Sequence, residues 1–226
     1  MLTRTGAGTS TRRKWNRTNS NGEALMTLNE LVTLANEKGL TFEQFMTRAE
    51  ARMHAGDPDD KFAAGRPLNY SRMTRHMKTY EPGEAVRAVM ADVQVPQTWV
   101  VITEDWCGDS AQTLPVLAAV AGLNPLVSFR ILDRDTYPEA IESYLTTGSR
   151  SIPIVVATQT DMAGNSEELW VWGPRPDAAK PLVTAWKNEH ETNTDWYPLL
   201  HTWYSQNAHV HVESDILGRI NALVQR

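Results

Sequence analysis

The chain has a single cysteine, Cys107. One thiol excludes an internal disulfide framework and fits a reducing compartment, so a cytoplasmic location is expected. No apolar run approaches the ~18 residues that a membrane-spanning helix requires. Positive charge is not in excess either. There are 22 Lys and Arg against 27 Asp and Glu, a net charge of −5, which removes the general electrostatic case for nucleic acid or a membrane surface as partner. What remains is globular in composition. At 226 residues, 41% of them hydrophobic, the chain suits one enlarged domain or a domain with an appendage. No internal repeat is visible, and no flexible linker after residue 26.

Residues 1–25 are polar and basic: Arg4, Arg12, Arg13, Lys14 and Arg17 precede the first acid, Glu23. The composition has a faint likeness to a twin-arginine signal and to a transit peptide, but no apolar h-region or apolar face accompanies it. A disordered basic tail is the expectation, with Met26 as an alternative start.

Two capping boxes then announce helices. Thr27-Leu28-Asn29-Glu30 leads an apolar face of Leu28, Leu31, Val32 and Ala35, ended by Gly39. Thr41-Phe42-Glu43-Gln44 leads a stripe of Phe42, Phe45, Met46, Ala49 and Met53, broken by Gly56-Asp57-Pro58. Residues 57–67 read as a loop and 69–80 as a short helix with Met73 and Met77 inward. Arg66, Arg72, Arg75, His76 and Lys78 form a basic patch there, read either as a solvated helix face or as a site for an anion or acidic partner.

Further along, helix 84–93 precedes a β-rich run, 99–103, that stops at Glu104-Asp105-Trp106. Cys107 follows, and Gly108-Asp109-Ser110 opens an apolar helix to about residue 122. A sulfur at such a joint faces unpaired N–H groups and the positive end of the helix dipole, which favour the reactive thiolate. A strand over 126–133, a helix over 138–147 ended by Gly148, a hairpin of 154–158 with 168–173, and helices near 177–189, 195–206 and 214–225 complete the pattern. Trp170 and Trp172 share a face and read as core. Asp133 and Asp135 read as solvated acids at a strand end. His209-Val210-His211 alternates like a strand, and with His201 and Glu213 it lacks metal-ligand spacing, so no metal site is expected.

The stretch Trp106-Cys107-Gly108-Asp109-Ser110 resembles the W-C-G-P-C active site of the thioredoxin superfamily. Pro115 stands where that family kinks its active-site helix, and Ser151-Ile152-Pro153 before a strand resembles its cis-proline segment. The resemblance covers roughly residues 83–190. It implies an α/β, thioredoxin-like fold, a central mixed sheet with helices on both faces. A helical extension over 26–82 and another over 191–226 would flank it. There are departures: Ser110 replaces the second cysteine, Asp109 replaces the proline, and the family's buried acid falls at Val101.

Such a site implies monothiol thiol–disulfide exchange. Cys107 would be the nucleophile and Ser110 a hydrogen-bond donor to its thiolate. Trp106, Gly108, Asp109, Arg150, Ile152 and Pro153 would surround the substrate. The partner implied is a small thiol or a protein disulfide, with glutathione or another small thiol as co-substrate and no bound cofactor. An external thiol must resolve the mixed disulfide. Asp105 and Asp109 oppose the helix and Arg150 in setting the thiol pKa, so the sign of the shift stays open. The competing expectations are a thioredoxin-like module that binds a partner or senses redox state without turnover, and a thiol-dependent transferase or peroxidase.

Overall fold

The structure is a computed structural model that describes residues 18, 22, 24–55 and 59–224. The expected tail and the Gly56-Asp57-Pro58 break fall almost wholly outside the described residues. Four strands form one mixed sheet in the order β2-β1-β3-β4. Strand β1 (Gln97–Thr103) pairs parallel with β2 (Val127–Asp133) and antiparallel with β3 (Ile154–Thr160), which pairs antiparallel with β4 (Ser166–Trp172). The α/β, thioredoxin-like reading of the fold holds.

Strand β1 is buried on both faces, which is why its sequence is a continuous Trp-Val-Val-Ile run rather than an alternating one. The period of two still sorts its side chains. Trp99 and Val101 join a core with Val155, Ala157, Trp170 and Trp172. Val100 and Ile102 join a second core on the opposite face with Leu132, Ile154 and Val156. Both tryptophans of β4 are thus core, as the pattern suggests.

Eight α-helices cover the sheet among the described residues: α1 (Leu28–Lys38), α2 (Phe42–Ala55), α3 (Arg66–Thr79), α4 (Glu84–Ala91), α5 (Gly108–Ala121), α6 (Pro138–Ile141), α7 (Ala179–Glu189) and α8 (Asn193–Val224). Leu28, Leu31 and Ala35 of α1 complete the second core, whereas Phe45, Met46 and Ala49 of α2 join the first. Both capping boxes form. Thr27 accepts from the Glu30 amide. Thr41 Oγ1 accepts from the Gln44 amide at 3.2 Å while Gln44 Oε1 accepts from the Thr41 amide at 2.9 Å. Thr41→Ala is therefore expected to lower unfolding free energy by about 1 kcal/mol, read as a shift of the urea midpoint at unchanged slope.

The N-terminal helices are tied to the sheet through its β2 edge. Leu40 and Ile131 exchange backbone hydrogen bonds, both 2.8 Å, and the Arg48 guanidinium forks onto Asp133. Asp133 is consequently ion-paired rather than solvated. Asp135 carries Arg134 at 2.6 Å.

Three helical expectations change. The helix after Pro138 lasts one turn and passes into a 3-10 turn over Glu142–Tyr144. On α3 the buried side chains are Arg66, Asn69, Met73 and His76, and Met77 is exposed. Its inward face is largely polar, so the Met73/Met77 spacing pointed one residue away from it. Finally, the two C-terminal helices and the strand-like His209-Val210-His211 are one continuous helix, α8. It packs along α4, α5 and α7. Asp215 accepts from the Trp172 indole at 2.8 Å and from the Asp177 amide at 2.9 Å, and Arg219 donates to the Val171 carbonyl at 3.0 Å. These contacts lash α8 to β4.

Candidate functional site: the thiol corner

The β1–α5 joint places Cys107 at the N-cap of α5 with extended backbone. Opposite it runs the Ile152–Pro153 segment, whose peptide bond is cis. The thiol is 8% exposed and lies in the second apolar core beside Ile152. Its S–H donates to the Ile152 carbonyl at 3.4 Å. Burial, and then the nearby Asp109 carboxylate, push the thiol up to about 11; the Ser110 hydroxyl and the amides of Ser110 and Asp109 pull the other way and lose. The sign that the sequence left open is therefore upward. The Ser110 hydroxyl also meets Thr103 Oγ1 at 2.6 Å, so it is held from behind.

Asp109 turns inward. It is nearly buried and receives Tyr204 O–H at 2.9 Å and the Arg175 guanidinium at 2.6 Å. Burial raises its pKa, with Arg175 and Tyr204 pulling back. Tyr204 comes from α8. Arg175 comes from the turn after β4, where Gly173 has φ +124 and a Cβ would lie 2.1 Å from the Pro153 carbonyl oxygen. Only glycine permits this close approach; it lets the chain cross the cis-proline segment and deliver Arg175 to the first turn of α5. Val101 leaves the usual position for a buried acid apolar, and Asp109 supplies a buried carboxylate from the helix instead.

The preceding acidic corner is equally committed. Glu104 Oε1 accepts from the Asp135 amide at 2.8 Å, and burial raises its pKa. Asp105 is ion-paired with buried Arg66 and with Arg52 at 3.3 Å. Asn69 Nδ2 donates to the Trp106 carbonyl at 2.8 Å. The Trp106 ring is stacked on Phe62 at 4.1 Å and carries the Arg134 guanidinium over it at 4.8 Å.

Cys107, Ser110, Gly108, Asp109, Ile152 and Pro153 thus come together, with Trp106 at the margin. Arg150 does not join them: it is ion-paired with Glu142 at 2.5 Å, and the cation beside the helix start is Arg175. Sequence reasoning missed Arg175, Tyr204 and the Arg66–Asp105 pair. The Gly-Pro before Arg175 is the one local signal for them. The C-terminal histidines diverge. His201 lies over Gly108, His209 meets His76, and His211 stacks on Trp203 at 5.2 Å. Glu213 accepts from Tyr80 O–H at 2.7 Å. Among the described residues no three His, Cys, Asp or Glu side chains are placed to hold a metal, and no helix is long and apolar enough to cross a membrane.

A strand–cysteine–helix joint facing a cis-proline segment beside a mixed sheet defines a thioredoxin-fold protein. A family model described as thioredoxin matches residues 56–187, more than half of the chain, and the protein belongs to that family. The match takes in α3 through most of α7, and leaves α1, α2 and α8 outside. The fold is similar to that of a protein of unknown function from Pseudomonas aeruginosa, with 17% identity, TM-score 0.56, and coverage of 88% of this chain and 99% of that one. It is similar also to an HIV epitope-scaffold, with 18% identity, TM-score 0.56, and coverage of 87% and 99%. At these identities the likeness concerns the fold alone. No curated protein matches the chain.

Proposed function

We propose that this protein is a thioredoxin-like binding module in which Cys107 serves as a protonated contact thiol at the binding corner, not as an activated nucleophile. The observation that carries this reading is the environment of the sulfur: buried among apolar side chains, donating to the Ile152 carbonyl, and pushed up to about 11. At neutral pH a thiol so placed holds a negligible fraction of thiolate, and the thiolate is what attacks disulfides. The partners that suit the corner are a small thiol-containing molecule or an extended peptide lying along Ile152 and Pro153.

A second reading, monothiol thiol–disulfide exchange, draws on the Ser110 hydroxyl and the two backbone amides that converge on the same sulfur. In that chemistry the Cys107 thiolate attacks a disulfide RS–SR, forms the mixed disulfide Cys107–S–SR and releases RS⁻. An external thiolate then attacks the outer sulfur, regenerating Cys107 and leaving a new disulfide in solution. Ser110 cannot perform the second step.

The pH dependence of Cys107 alkylation by iodoacetamide, sited by mass spectrometry, separates the two. The expected result is a midpoint above the ~8.5 of a free thiol, and no turnover of a small-molecule disulfide that Cys107→Ser would remove. A midpoint well below that value, together with turnover lost in Cys107→Ser, would establish exchange and end the binding-only reading.

A further inference from the structure

Helices α3, α5 and α8 line an open surface pocket of about 280 Å³ whose polar lining is Ser71, Arg72, Arg75, Gln112, His201 and Ser205. Among the described residues no carboxylate lines it. Among the described residues neither guanidinium is ion-paired with an acid. Arg72 donates only to Asn69 Oδ1 at 3.2 Å, and Arg75 lies 3.4 Å from Gln112 Oε1 and 3.2 Å from His76 Nε2. This contrasts with the rest of the corner, where Arg52, Arg66, Arg134 and Arg175 all hold carboxylates.

Partial burial, and then repulsion from the Arg75 guanidinium beside it, lower the Arg72 pKa. A bound anion would offset both by pairing the charge. His201 and Arg72 of the lining pack against the start of α5: the position a Gly108 Cβ would take lies 3.0 Å from His201 Cε1 and 3.8 Å from Arg72 Nη1. His201 Nδ1 is buried without a hydrogen-bond partner, and the Ser71 hydroxyl adds a donor, whereas the Ser205 hydroxyl is donated to the Thr202 carbonyl at 2.7 Å.

We propose that this pocket binds a small oxyanion, a phosphate or carboxylate group of a small molecule, held by the Arg72 and Arg75 forks with Ser71, Ser205 and His201 around it. Guanidinium forks match both anions in geometry. The proposal rests on reading the corner as a binding site, and it names the chemistry of the ligand that α3 and α8 admit. It also divides the basic patch of the sequence. Arg72 and Arg75 face the pocket, Arg66 and His76 are core, and Lys78 is on the surface.

The test is calorimetric titration of the full-length protein with inorganic phosphate and, separately, with malonate, each up to millimolar concentration, the weak end of specific binding. Binding of at least one anion is expected, weakened by about tenfold or more in Arg72→Met/Arg75→Met. It should be unchanged in Lys78→Met, an exposed cation of the same helix outside the lining; the titration does not read the thiol, so a failure of the thiol reading leaves this result standing. The tighter anion identifies the ligand group as phosphoryl or carboxylate. If the double variant does not fold, phosphate-induced amide shifts confined to Gly108, Gln112 and Ser205 in the native protein support the site. Binding of neither anion, equal binding by a folded double variant, or shifts spread elsewhere would overturn it.

Discussion

Replacing Arg66 with methionine is expected to cost about 3 kcal/mol of unfolding free energy, a fall of roughly 6–12 °C in Tm for a chain of this size. Arg66 is 3% exposed. It holds Asp60 through Nε at 2.6 Å and Asp105 through Nη1. Asp105 is itself 3% exposed. Without Arg66 its carboxylate would keep only the half-exposed Arg52 at 3.3 Å. A buried charge stripped of its partner is costlier than the pair was stabilising, because the desolvation remains after the attraction has gone. The same argument gives a second outcome. Arg66→Met combined with Asp105→Leu should recover most of the loss, since an apolar pair of similar volume removes both desolvation terms. Urea unfolding followed by tryptophan fluorescence measures both. A single-variant loss below ~1 kcal/mol, the range of exposed pairs, would mean that Asp105 is not a desolvated ion. There is a consequence for the site as well. Asp105 precedes Trp106 and Cys107, so the single variant should also speed alkylation of Cys107 by loosening the corner.

That ion pair illustrates what could be read from the amino acids alone and what could not. Local rules sufficed for the frame. The Trp-Val-Val-Ile run, the two capping boxes, the Cys-Gly-Asp-Ser helix start and the Ile-Pro before a strand each carry their information within a few residues, and together they place the sheet, α1, α2, α5 and the thiol. The neighbours of that thiol were not legible, because they arrive from 35 or more residues away through tertiary packing. Arg66 and Asn69 come from α3, Arg175 from the turn beyond β4, and Tyr204 from α8. None stands in a motif. A polar inward face defeats a reading based on apolar periodicity, which is why α3 was turned by one residue. The unity of α8 was hidden for a related reason. Its histidines alternate with valines as in a strand, yet each finds a different partner on the helix surface. The direction of the thiol pKa was also beyond local reasoning. The helix terminus that lowers it is visible in sequence, but the burial that raises it depends on the sulfur lying against Ile152 in a core that also takes in Leu28 and Ile141 from distant helices.

Acidification between pH ~6.5 and ~4 should loosen α8 before it unfolds the sheet. Three histidines hold that helix against α3 and α5 in neutral form. His76 Nδ1 lies 2.5 Å from His209 Nε2, and His76 Nε2 lies 2.8 Å from Gln112 Oε1. Placing the proton of each ring on Nε2 satisfies both contacts: His209 donates to His76, and His76 donates to Gln112. Protonating both rings sets two N–H groups face to face, with the Arg75 guanidinium 3.2 Å from His76 adding repulsion. Burial first, and then His209 and Arg75, push His76 down to about 4 against the Gln112 hydrogen bond, which raises it; burial and Arg75 lower His209, with Glu213 opposing. His201 is pushed to about 4 by burial and Arg72. A ring whose folded pKa lies below the free value of ~6.5 contributes fully above that value, and the contribution is lost as pH falls toward the folded pKa. Allowing for solvent screening, the loss is roughly 1–2 kcal/mol for His76 and for His201. The surface carboxylates with lowered pKa, such as Asp161 and Asp195, lose their contributions only at lower pH, and Glu104 and Asp109, whose pKa values burial raises, gain stability as pH falls, so a net fall through this interval belongs to the histidines. Hydrogen exchange should therefore quicken in α8 near pH 5 while β1 and β3 stay protected, and the urea midpoint should fall through the same interval. His76→Asn/His209→Asn should flatten that fall. A midpoint constant from pH 6.5 to 4, or exchange that quickens in sheet and helix together, would show that the histidines do not latch α8.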